Sequence, residues 1–227
     1  MTPAEYLALA GLDAVIDHEL VTTRLKALEA LAATVSIPAD PTTLYRYRVP
    51  ELGENGACSL PDQLAEAPYD LAATLGGVRE ETSANLARLQ GVVDRLVADS
   101  ACGWLGVYQT RELPSGPALV KLAYRGKPSR AEFPLTADFA RHSNNSTVGL
   151  SGRGKLIAHV DSYVAEGGAY YTCDAEVQSE ACLPLFDQAG TVVGIIDAED
   201  ARRDFFQGEV LASLVALCLL APTHLPR

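Results

Sequence analysis

The chain has 227 residues, with 18 Lys and Arg against 29 Asp and Glu, a formal net charge of −11 and an apolar share of 48%. That size supports a buried core without disulfides, and the negative charge, with no Lys/Arg stripe, argues against nucleic acid or a membrane as partner. No apolar run reaches the roughly 20 residues that cross a bilayer, and Met1 to Glu5 lacks the positive side chains of a signal peptide, so a cytoplasmic protein is expected.

In chain order, Tyr6, Leu7, Leu9, Val15, Ile16, Leu20, Leu25, Leu28 and Leu31 recur at intervals that predict one or two amphipathic helices. Pro38, Pro41, Pro50 and Gly53-Glu54-Asn55-Gly56 then break regular structure, so residues 35–60 read as loop-rich. The composition shift marks residues 1–77 as a helical and loop-rich extension and 78–227 as the main domain. A further helix is predicted from about Thr82 to Asp99, because Leu86, Leu89, Val93, Leu96 and Val97 fall on one face.

From Trp104 onward short apolar runs separated by Gly, Pro, Asn and Asp predict strands, including Leu105, Val107, Leu119, Val120, Leu122 and Phe133. Leu183-Pro184-Leu185-Phe186 and Thr191 to Ile196 flank Asp187-Gln188-Ala189-Gly190, a hairpin turn. A last helix is expected to start at Asp204, with Gln207 three positions on as a capping-box variant. Helices, antiparallel strands and a closing helix make an α+β domain, with helices packed on one face of a sheet.

Five cysteines, Cys58, Cys102, Cys173, Cys182 and Cys218, form no CxxC pair and no Cys/His cluster with zinc spacing, so no metal site is expected. Cys173 opens a run that reaches Glu180, and Asp197 and Glu199 follow in Ile195-Ile196-Asp197-Ala198-Glu199. Alternation along a strand points both of these acids to one face. A thiol and three convergent carboxyl groups suit attack on an electrophile with proton donation.

These residues resemble the GAF domain family, and more narrowly the free methionine-(R)-sulfoxide reductases, over about residues 82–220. Trp104-Leu105-Gly106-Val107-Tyr108, Cys173-Asp174, Ser179-Glu180, Leu183-Pro184-Leu185, Gly194 to Glu199, and Phe205-Phe206 carry the likeness. The resemblance implies a GAF-like antiparallel sheet, Cys173 as nucleophile, an acid among Glu180, Asp197 and Glu199, and Trp104 and Tyr108 as the wall for the substrate methyl group. It implies free methionine sulfoxide as substrate, no bound cofactor, an external thiol reductant such as thioredoxin or glutathione, and a homodimer. Residues 138–150 depart from the family in lacking its resolving cysteine, with Thr147 or Val148 in its place. Recycling then uses an external thiol, or activity is lost and the domain senses an amino-acid-like ligand without turnover. A dimerising scaffold is the third reading.

Crowded carboxyl groups raise one another's pKa, so one can hold a proton while the others take an ammonium group. Cys182 and Cys102 are weak candidates for a replacement resolving thiol, each placed two residues from a site residue. Cys58 and Cys218 read as buried small hydrophobes, and core packing is the plainer reading of Cys182 as well. Glu176 and Asp200 read as solvated loop charges, and His142 and His159 as surface or satisfied core residues. Gly149 to Lys155 reads as a turn or lid from which Arg153 or Lys155 reaches toward a substrate carboxylate.

Overall fold

The computed structural model describes residues 1–53, 59–168, 170 and 174–227, with the backbone alone at 59–62. Cys58 and Cys173 lie outside the described residues. Helix α1 (Pro3–Ala10) starts on a capping box in which Thr2 and Glu5 each accept from the other's amide, with Pro3 in its first turn. Helix α2 (His18–Thr34) is capped by the Asp17 carboxylate. The loop-rich stretch that follows holds four short strands, β1 (Arg46–Tyr47), β2 (Pro50–Leu52), β3 (Ser59–Leu64) and β4 (Tyr69–Asp70), paired as β1 with β4 and β2 with β3. Helix α3 (Leu71–Leu75) leads into α4 (Glu80–Ser100), which buries Leu86, Leu89, Val93 and Leu96 along one stripe.

Next in the chain come β5 (Trp104–Leu113), β6 (Gly116–Arg125), β7 (Glu132–Pro134), α5 (Ala137–Ala140), α6 (Asn144–Ser151), β8 (Lys155–Ile157), α7 (Val160–Ala165), β9 (Ser179–Phe186), β10 (Val192–Asp200) and α8 (Gly208–Leu220). One antiparallel sheet results, ordered β7-β6-β5-β10-β9-β8. Side-chain alternation divides it between two apolar clusters. Leu105, Val107, Ala181, Leu183, Leu185, Ile196 and Ala198 join the larger cluster with α2, α4 and α8. Trp104, Tyr108, Leu119, Phe133, Cys182 and Ile195 join the smaller one on the opposite face, against Val148 of α6. Helix α8 buries nearly its whole circumference because it lies between the sheet and α2.

Several local expectations are corrected. The last helix starts at Gly208, not at Asp204, and Gln207 gives it no side-chain cap. Asp204 takes a left-handed backbone (φ 54°) and its amide donates to Ala158, so the chain is still turning there. Residues 138–150, which lack the resolving cysteine, are mostly helical and lie in α5 and α6. Asp200 is no solvated loop charge: 4% exposed, it accepts from the Gly103 amide, the Arg202 amide and the Arg202 guanidinium. Those donors hold its carboxyl below the ordinary range despite burial.

Strand β8 begins opposite Cys182, so Leu183–Phe186 have no strand neighbour on that side. Helix α1 fills the place: the buried Tyr6 hydroxyl donates to the Pro184 carbonyl at 2.9 Å, and its ring packs edge-on against Phe186. Tyr6→Phe leaves that carbonyl without its donor. It is expected to lower stability by about 1–2 kcal/mol, read as a lower urea midpoint at unchanged slope.

Candidate functional site

The sheet register builds the site in rows. Glu199 lies directly between Trp104 on β5 and Glu180 on β9, and Asp197 lies between Gly106 and Cys182. Tyr108 pairs with Ile195 in the next row. Trp104, Tyr108, Glu180, Asp197 and Glu199 therefore line one cavity, together with Ser129, Phe133 and the start of α6 at Ser143–Asn145. The cavity is small, about 30 Å³, well below the several hundred Å³ of drug-sized ligand sites. Among the described residues no three His, Cys, Asp or Glu side chains are set to hold a metal ion.

Two glycines make room for the aromatic wall. A Cβ on Gly106 would lie 2.3 Å from the Trp104 ring and one on Gly126 would lie 2.4 Å from it, so the indole lies flat across positions that cannot carry a side chain. Its Nε1–H donates to the Lys127 carbonyl at 3.0 Å. The indole stacks with Tyr124, and Tyr108 meets Phe133 edge-to-face. Behind this wall the fully buried Lys121 ammonium donates to the Ser129 carbonyl and hydroxyl at 2.7 and 2.8 Å and sits 4.1 Å from the Tyr124 ring centre and 5.0 Å from that of Tyr47. Tyr47 comes from the N-terminal segment and bonds the Lys121 carbonyl.

The acids are held from α6. Asn144 Nδ2 donates to Glu180 Oε1 and Asn145 Nδ2 to Asp197 Oδ2, each at 3.0 Å. Ser143 caps the helix, so the two amides enter the cavity side by side. Glu180 and Asp197 are each 4% exposed, and Asp197 Oδ1 is buried without a partner among the described residues. Burial first, and then the charges of Glu180 and Glu199, push Asp197 well above the ordinary carboxyl range. Burial raises Glu180 too, opposed by donors from Tyr170 and Asn144 and by the Lys155 charge. Glu199, half-buried, is raised to about 8 by burial and by the charges of Glu180 and Asp174.

Asn144, Asn145, Ser129, Tyr170 and Lys121 were not singled out by the sequence, and Phe133 was read only as a strand residue. Lys121 inside the apolar run Leu119-Val120-Lys121-Leu122 is a signal that such residues give, since a charge flanked by core positions has to be paired. Two other expectations are corrected. Cys102 packs in the cluster on the far face of the sheet and donates to the Trp104 carbonyl, and burial raises its thiol to about 12. Arg153 turns away from the cavity and donates to the Ala8 and Leu9 carbonyls at the end of α1. Lys155 stands opposite Cys182 with its ammonium on the Tyr163 hydroxyl. His142 is exposed, and His159 pairs with Asp204 at 3.1 Å. Glu176 is an exposed partner of Lys127, and Cys218 is buried in α8.

The raised Glu199 sets a pH dependence of folding. The folded protein keeps a proton that the unfolded chain releases near pH 4.5, so stability falls as pH rises from about 4.5 to about 8. Glu199→Gln removes that loss. Its melting temperature relative to the parent is expected to climb by a few degrees between about pH 5 and pH 8, as 1 kcal/mol moves a domain of this size by roughly 2–4 °C.

No protein-family model matches the sequence, and no curated protein matches it. Solved structures do. A type II free methionine-R-sulfoxide reductase from Thermoplasma acidophilum is similar at 22% identity and a TM-score of 0.54, over 64% of this chain and 95% of that one. A putative GAF sensor protein from Burkholderia vietnamiensis is similar at 17% identity and a TM-score of 0.52, over 91% of this chain and 88% of that one. A free methionine-R-sulfoxide reductase from Neisseria meningitidis, solved with its substrate, gives 19%, 0.50, 67% and 80%. At such identities the likeness is one of architecture, and this chain has the GAF-like α+β fold.

Proposed function

We propose that this protein reduces a small free sulfoxide, methionine-(R)-sulfoxide or a close relative, with Cys173 as nucleophile. The observation that carries the reading is Asp197 Oδ1, a buried oxygen without a partner among the described residues, in a cavity with two other carboxyl groups and an aromatic wall. The chemistry of this lining suits an ammonium group on the acids and an apolar S–CH3 group on the rings. A buried polar atom left unpaired costs about 1–3 kcal/mol, which an ammonium donor would remove on binding.

Cys173 lies outside the described residues, and its flanks support its role. Tyr170 reaches Glu180, and Asp174 borders a second cavity that shares Trp104, Ser129 and Glu199 with the first. Lys127 ties Asp174 and Glu176 down at 2.7 Å each. In the proposed reaction the Cys173 thiolate attacks the sulfoxide sulfur while Glu199 protonates the oxygen. The S–O bond breaks, the oxygen passes to the cysteine sulfur, and methionine leaves, so the sulfoxide is reduced by two electrons and Cys173 becomes a sulfenic acid. Two equivalents of an external thiol, from glutathione or a thioredoxin-type dithiol in the cytoplasm, return it to the thiol with release of water.

A second reading, a sensor that binds an amino-acid-like ligand without turnover, is favoured by the absence of cysteine from residues 138–150. Incubation with separate R and S diastereomers of free methionine sulfoxide and dithiothreitol, glutathione or thioredoxin decides between them. Methionine is expected from the R form and none from Cys173→Ser. Saturable binding with no methionine from any donor would establish the sensor and end the reductase reading. If Glu199 is the acid, kcat/KM falls as pH rises through about 8, and Glu199→Gln loses on the order of 10²–10⁴ in rate.

A further inference from the structure

We infer that Cys182 is a positioning residue: its S–H fixes the Asn145 amide so that Nδ2 faces Asp197 Oδ2, which leaves Asp197 Oδ1 without a partner among the described residues. That a ligand ammonium then takes Oδ1 rests on the function proposed above.

Cys182 is fully buried, directly opposite Asp197 in the β9–β10 register. Its Sγ donates to Asn145 Oδ1 at 3.4 Å, and Asn145 Nδ2 donates to Asp197 Oδ2 at 3.0 Å. A side-chain amide has two orientations of nearly the same shape, and only its hydrogen bonds choose between them. Turned the other way, Asn145 would present its oxygen to Asp197, which could answer only as the protonated acid. With the amide oxygen engaged by the thiol, the NH2 group faces the carboxyl and favours the ionised form.

The surroundings press the other way. Glu180 on β9 and Glu199 on β10 disfavour charge on Asp197, and Tyr108 on β5 offers no cation. Lys155 on β8 acts on Glu180 and Cys182. Asn145 and the Ala198 amide are the donors that oppose this pressure. Burial and the adjoining carboxyl groups raise the Cys182 thiol, so it keeps the proton it donates. The same contact gives Cys182 a role apart from electron transfer.

The test follows the Asp197 carboxyl by ¹³C NMR titration in the ligand-free protein, and so does not depend on any activity. Cys182→Ser keeps a donor and is expected to titrate with the parent. Cys182→Ala frees the amide and is expected to raise the Asp197 midpoint by about one unit, a tenfold change in ionised fraction. Cys182→Ala titrating like the parent, or Cys182→Ser titrating like Cys182→Ala, overturns the inference. Should the alanine variant not fold, the S–H stretching band lost in Cys182→Ser is expected, in the parent, below that of a free thiol in water, and an unshifted band overturns it equally. With free methionine as probe, Cys182→Ala is expected to bind about tenfold more weakly than Cys182→Ser. Absence of methionine binding in all three proteins, with the titrations as expected, would refute the ammonium reading alone.

Discussion

Three carboxyl groups on one sheet face, two of them almost wholly shielded from water, are a costly arrangement. Charges withdrawn from solvent must be paired or neutralised, and Glu180, Asp197 and Glu199 repel one another as well. The fold answers this with neutral donors and retained protons. Asn144 and Asn145 supply one hydrogen bond each to Glu180 and Asp197, while Glu199 keeps its proton to about pH 8. The placement of α6 therefore matters as much as the strands, because a shift of its first turn would take one donor from both acids at once.

The rest of the site is arranged around that cluster. Trp104 shares a row with Glu199 and Glu180, so the aromatic wall and the acids are set by one register and cannot slip independently. A buried ammonium, Lys121, backs the wall and is held by Ser129 and by the faces of Tyr124 and Tyr47. Tyr47 belongs to the stretch before the sheet, and the large apolar cluster likewise joins Tyr6, Val21 and Leu28 to the sheet core.

Much of this was legible from the residues. Strand alternation at Asp197 and Glu199, the Asp187–Gly190 turn and the apolar stripe of α4 are local patterns, and the structure follows them. What escaped depended on contacts between segments distant in sequence. Asn144 and Asn145 follow Ser143 in a polar run without periodicity, and their partners lie 36 and 52 residues away. Asp200 reads as a loop charge until Arg202 and Gly103 are placed around it, and Asp204 reads as a cap because its left-handed backbone leaves no mark in the sequence. Cys102 was misplaced for a simpler reason: it lies just before β5, where the alternation that orients Trp104 has not begun.

The short β8 has a consequence of another kind. Because it pairs only with Glu180–Cys182, the outer side of β9 from Leu183 to Phe186 is a row of backbone groups without a neighbouring strand, in one of the most apolar segments of the chain. Exposed edges of this type recruit strands from other molecules. Pro184, which has no N–H to offer, and the Tyr6 phenol, which occupies the Pro184 carbonyl, together blunt that edge. The first helix thus serves as a guard against intermolecular strand addition, and solubility as well as stability depends on its eight residues.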